Sequence, residues 1–81
     1  MNKREATGSQ FAVCVDNEGN EASLELGKLY EVIDDDEAVR HGYLRVIDES
    51  GEDYWHAAKM FYLIEVPSEL ATTLHDIYRA A

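Results

Sequence analysis

Cysteine is nearly absent from this chain: Cys14 is the only one in 81 residues. That excludes an internal disulfide and a four-cysteine zinc site. A lone free thiol fits a reducing cytosol, so a cytoplasmic location is the expectation. Long apolar runs are also missing. None approaches the ~20 residues that a membrane helix requires. The opening stretch MNKREATGSQ has charge but no apolar segment behind it, unlike a signal peptide. Residues 1–9 are expected to form a disordered tail. Basic side chains are scarce, with seven Lys and Arg against seventeen Asp and Glu. From Gln10 onward the balance is sixteen acids to five bases, a formal charge of −11. Nucleic-acid binders draw much of their affinity from Lys and Arg on phosphates. This chain would repel a phosphate backbone and an anionic membrane alike. No nucleic acid and no membrane are therefore expected as partners; a basic protein surface is.

What is present suffices for one small domain, which buries roughly 60% of its unfolded surface. FAVCVD (11–16) alternates, with Phe11, Val13 and Val15 on one face and Ala12 and Cys14 on the other. That predicts a strand covered on both faces. NEGNEA (17–22) reads as a loop. Gly27 leads into a second strand, 28–34, which stops where DDDE begins, because four consecutive acids pair poorly across a sheet. DEAVRHG (36–42) allows at most about one helical turn. A third strand (43–48) and a fourth (53–56) flank DESGE, a polar turn with Gly51 late in it. Asp48 can bond to turn amides there, and Gly51 accepts positive φ. AAKM (57–60) suggests one 3₁₀ turn. FYLIEV (61–66) is the last strand, and Pro67 ends it. Ser68 and Glu69 then open a helix in which Leu70, Leu74 and Ile77 recur at helical spacing, with Tyr78 alongside. Short strands joined by local turns indicate antiparallel pairing. The expected organisation is a tail (1–9), a five-stranded all-β unit (10–66) and a C-terminal helix (67–81).

EASLELGKLYEVI (21–33) resembles a stretch of the SH3-like barrel family, whose pattern runs E-L-S-F-x-x-G-D-x-L-x-V-L. Glu21, Ser23 and Gly27 match directly. Ala22 and Leu24 stand at its apolar and aromatic positions. Tyr30, Val32 and Ile33 fill the apolar positions that follow, and Lys28 replaces an acid. The order of elements agrees too: a distal hairpin, a 3₁₀ turn, a final strand. Within that family the chain is most similar to small bacterial and phage proteins. The resemblance implies a small five-stranded antiparallel barrel. It does not carry over polyproline binding. The family's tyrosine-rich first strand is replaced here by Cys14-Val15-Asp16-Asn17, and Tyr43 and Leu44 stand where its groove tryptophans would be.

Residues able to carry chemistry are few. Cys14 sits mid-strand among apolar neighbours, where a thiol is inert core. His41, His56 and His75 show no HxH or HxxxH spacing, so no metal site is expected from them. DNEGNE (16–21) misplaces the glycine of a calcium loop, and position twelve would be Gly27 instead of an acid. DDDE (34–37) reads as a solvated charge run that guards a sheet edge. No activated nucleophile or paired catalytic acid is visible, so neither an enzyme nor a cofactor is expected. The aromatics give a stronger signal. Tyr43, Tyr54, Trp55, Phe61 and Tyr62 crowd the third to fifth strands, and a domain this small cannot bury them all. Exposed rings anchor partners and acids steer them. The expectation is an acidic protein-interaction module whose site combines Tyr43, Tyr54 and Trp55 with Asp35, Asp36 and Glu49. Two alternatives compete. The charge could mimic nucleic acid and occupy a DNA-binding protein, although it sits in turns instead of a helical stripe. The Leu70/Leu74/Ile77 stripe could also make the chain self-associate, as a weak homodimer through the C-terminal helix instead of a monomer.

Overall fold

The computed structural model describes residues 10–80; the expected tail, 1–9, lies outside them. The elements are β1 (Gln10–Cys14), β2 (Leu29–Ile33), α1 (Asp36–Arg40), β3 (Tyr43–Ile47), β4 (Asp53–Ala57), a 3₁₀ turn (Ala58–Met60), β5 (Phe61–Glu65) and α2 (Ser68–Ala80). The strands form one antiparallel sheet in the order β4-β3-β2-β1-β5. The chain is thus a small β-rich fold with a C-terminal helix. Ladder β1–β2 uses Leu29, Tyr30 and Glu31, whereas ladder β2–β3 uses Val32 and Ile33. One short strand therefore serves two ladders through its two halves.

Alternation decides what each face of β1 meets. Ala12 lies opposite Tyr30 on one side and Leu63 on the other, and Cys14 lies opposite Phe61. Ala12, Cys14, Tyr30, Val32, Leu44, Val46 and Phe61 form the inner core, closed by Leu24 from the β1–β2 loop and Met60 from the 3₁₀ turn. Phe11 points the other way and is still fully buried. Its cover is α2: the Tyr78 ring lies 6.4 Å from the Phe11 ring, and Ala71 is buried as well. Burying a phenylalanine to this degree contributes about 2–3 kcal/mol. Both faces of β1 are covered, as the pattern of FAVCVD predicts.

The seat of α2 differs from the predicted stripe. Leu70 and Ile77 remain exposed. The face on the sheet is Ala71, Leu74, His75 and Tyr78, one step round the helix. The reason is polar. The Tyr78 hydroxyl donates to the Leu29 carbonyl (2.8 Å), and His75 Nδ1 meets Glu31 Oε1 (3.0 Å). Each side chain buries an apolar body while its tip reaches a group on β2 that would otherwise need water.

The acidic tip DESGE is a turn, as expected. Gly51 holds φ +84° and donates its N–H to the Asp48 carbonyl (2.9 Å). Asp48 Oδ1 accepts from the Ser50 N–H (2.9 Å) and the Ser50 hydroxyl (2.6 Å). Its second oxygen meets His56 Nε2 at 2.9 Å, and both residues are buried. Burial works against the Asp48 charge; Ser50 and His56 outweigh it and hold the carboxyl below the usual range.

Candidate functional site

Two antiparallel neighbours set up the site. Tyr43 pairs with Ala57 and Arg45 with Trp55, so Tyr43 and Trp55 are diagonal neighbours on the face away from the core. Their rings stack with centroids 5.6 Å apart and planes at 27°. Tyr43 is 40% and Trp55 43% exposed. The pair is a flat aromatic platform open to solvent. His41, just after α1, adds a third ring 6.0 Å from Trp55.

Asp35 fixes this platform. It caps α1, with its Oδ1 accepting from the Ala38 N–H at 3.0 Å. Its Oδ2 accepts from the Trp55 indole N–H at 3.1 Å. Arg45 Nη1 lies 3.8 Å from the same oxygen, while Arg45 Nε donates to Asp53 Oδ2 at 2.7 Å. The Ala38 amide, with Trp55 and Arg45 behind it, holds the Asp35 carboxyl below its ordinary range. Asp53 is lowered as well, chiefly by its hydrogen bond from Arg45.

The β1–β2 loop faces the platform across a groove of about 370 Å³. Asp16, Glu18 and Asn20 line one wall; Tyr43, Trp55, Ala57 and Lys59 line the other. The loop is held by its own bonds. Asn17 Nδ2 donates to the Leu24 carbonyl (2.9 Å), and the Glu18 N–H donates to Asp16 Oδ1 (3.0 Å). Lys59 is the one Lys or Arg lining the groove against two acids, and His56, held by Asp48, lines it as well.

The expected site residues fall into separate places. Tyr43, Trp55 and Asp35 come together. Tyr54 faces the opposite way, opposite Val46, with its hydroxyl on Glu52 at 2.9 Å. That hydrogen bond to Glu52 also pushes the Tyr54 phenol up. Asp36 is exposed in the first turn of α1 and lines a second depression with Val39, Leu44 and Leu63. Glu49 belongs to the β3–β4 turn. It pairs with Lys28 at 2.7 Å and accepts the Tyr30 hydroxyl at 2.5 Å. Lys28, and then Tyr30, keep the Glu49 carboxyl low, while burial and Glu49 push the Tyr30 phenol up. Sequence reasoning missed Asp16, Glu18, His41 and Arg45 as neighbours of the platform. The first two sit in the polar β1–β2 loop, and no local feature of the sequence places that loop opposite the third and fourth strands.

Set beside known proteins, the chain matches no family model, no curated protein and no solved structure.

Proposed function

We propose that this chain is a non-enzymatic protein-interaction module that takes a basic segment of a partner protein into the groove between the β1–β2 loop and the Tyr43–Trp55 platform. The observation that carries the reading is the juxtaposition of a fixed, exposed aromatic pair with Asp16 and Glu18 across one groove. An Arg or Lys side chain would lay its cation over an aromatic face and its charge toward the carboxylates. A cation on an exposed ring contributes about 0.5–1 kcal/mol. The formal charge of −10 would speed encounter with such a partner and discriminate against acidic ones. Asp36 and Glu49 lie away from the groove and serve this reading only as part of the overall field.

The same reading takes the sheet as a partly closed SH3-like barrel. Supporting it are the strand order β4-β3-β2-β1-β5, the division of β2 between two ladders, and the 3₁₀ turn before the last strand. The groove then lies between the first long loop and the third and fourth strands.

The test is calorimetric titration with short peptides of fixed length carrying arginine, lysine, neutral proline-rich or glutamate sequences. Binding of the basic peptides, lost in Asp16→Asn/Glu18→Gln and weakened by salt, supports the reading. Equal binding of basic and acidic peptides, or binding untouched by those substitutions, removes it.

A further inference from the structure

The two edges of the sheet are built differently. The β4 edge carries Asp53 in an ion pair with Arg45 and a buried His56. The β5 edge, Phe61–Glu65, has no charge before Glu65, no proline, and a ladder to β1 unbroken over five residues. Natural edge strands are shielded by charges, prolines or bulges, and β5 has none of these along Phe61–Ile64. Tyr62 is 69% exposed and Leu63 55%, and Ile64 is also exposed.

The backbone on β1 tells which groups of β5 are open. Cys14 turns both its N–H and its carbonyl toward the β2 side, to the Lys28 carbonyl and the Gly27 N–H. Val15 N–H points the other way, to the Met60 carbonyl. Direction alternates along a strand, so Phe11 and Val13 address β5. Their partners Ile64 and Tyr62 therefore address β1, and Leu63 and Glu65 turn their N–H and C=O outward. The Phe61 N–H is taken by the Ala58 carbonyl. Among the described residues no strand lies beyond β5.

We infer that β5 is a homodimer edge, pairing antiparallel with β5 of a second copy in the register Leu63 opposite Leu63. The occupant is argued from self-complementarity. In this register the two Leu63 residues exchange N–H···O bonds, and each Glu65 N–H meets the Phe61 carbonyl of the other copy. Each Tyr62 falls opposite Ile64 on the outer face, an aromatic–β-branched pair in the closer, non-hydrogen-bonded spacing. Each Glu65 falls opposite Phe61, so the only charge on the strand meets no like charge. Centring the pairing on Glu65 would bring two carboxylates together. The copies repel through their formal charge of −10 each, so the dimer is weak at low ionic strength and tightens with salt. The groove's basic partner has the opposite salt dependence, and the two sites lie on different parts of the sheet, so either can fail alone.

Sedimentation velocity tests this over protein concentrations from about 10 μM to 1 mM, at low salt and at about 0.5 M salt. The expected result is a monomer–dimer equilibrium that tightens with salt. Leu63→Pro removes an outward N–H and leaves the bonds of Tyr62 and Ile64 to β1 in place; Leu63→Lys sets two cations face to face. Each is expected to weaken dimerisation by about tenfold or more. Hydrogen exchange on the unaltered chain adds a readout independent of how the variants fold: the Leu63 amide gains protection as concentration rises. A monomer at every concentration and salt overturns the inference. So does a dimer that survives both Leu63 variants in folded form, or one abolished by Ile77→Ser instead, which assigns the contact to α2. A Leu63 amide exchanging at the same rate at all concentrations overturns it too.

Discussion

The indole N–H of Trp55 donates to the same carboxylate, Asp35, that caps helix α1. A five-residue helix is too short to hold itself, and here its cap also orients the largest exposed ring of the molecule. The aromatic platform and the β2–α1 connection are therefore mechanically one unit.

Asp35→Ala should loosen both. The α1 amide at Ala38 loses its acceptor and the Trp55 ring loses its tether. The expected result is a lower unfolding midpoint in urea, greater quenching of tryptophan emission by iodide, and weaker binding of basic peptides. Asp35→Asn keeps a capping oxygen and should restore most of the stability. Emission and quenching unchanged in Asp35→Ala would show that the platform does not depend on this residue.

The buried Asp48–His56 pair predicts acid sensitivity. The folded-state pKa of Asp48 lies below its unfolded value, near 3.9 for a free Asp. The stabilisation is thus complete above that unfolded value and is lost as pH falls through the lower folded one. Stability should drop progressively below about pH 5. Asp48→Asn should cost about 2 kcal/mol at neutral pH and flatten the acid limb, because the buried carboxylate no longer has to be protonated. Urea unfolding from pH 3 to pH 7 measures both effects.

Gly51 gives a prediction about backbone alone. Its φ is +84°, and a Cβ added there would touch nothing within 4 Å. Gly51→Ala should therefore cost about 1 kcal/mol through conformation and not through collision. Gly51→Asn, which tolerates the left-handed region better, should cost less. Thermal unfolding of both variants checks the order.

On α2, Tyr78→Ala should destabilise far more than Ile77→Ser. Tyr78 covers Phe11 and bonds the Leu29 carbonyl, whereas Ile77 is exposed. The expected costs are about 3 kcal/mol for Tyr78→Ala and within about 0.5 kcal/mol for Ile77→Ser. Tyr78→Phe isolates the hydroxyl and should cost about 1 kcal/mol.

Much of this fold was legible in the sequence. The strands follow from alternation in FAVCVD and FYLIEV, and the hairpin from the turn residues at Asp48, Ser50 and Gly51. Four aromatics, Tyr43, Tyr54, Trp55 and Tyr62, remain exposed, as a domain of this size requires. The face that α2 seats on the sheet departs from its apolar spacing, which favours Ile77 over Tyr78. Only the fold reveals that a backbone carbonyl and Glu31 wait on β2 for a side chain with a polar tip. Period-two reasoning separates Tyr54 from Trp55 but does not say which of them shares a groove with the β1–β2 loop. Asp16 and Glu18 reach Trp55 through tertiary placement across about forty positions of chain, and local pattern carries no trace of that. Among the acids, neighbours along the chain part company in space: Asp35 turns in to the indole and Asp36 stays in solvent.

Trp55 is the chain's only tryptophan, so its emission reports directly on the proposed groove. The decisive measurement is a fluorescence titration with hexa-arginine, against hexa-glutamate as control, repeated on folded Tyr43→Ala. The account predicts a saturable change in emission with the basic peptide alone, weakened by salt and by loss of Tyr43. No change up to millimolar hexa-arginine, or the same change in Tyr43→Ala, would contradict it.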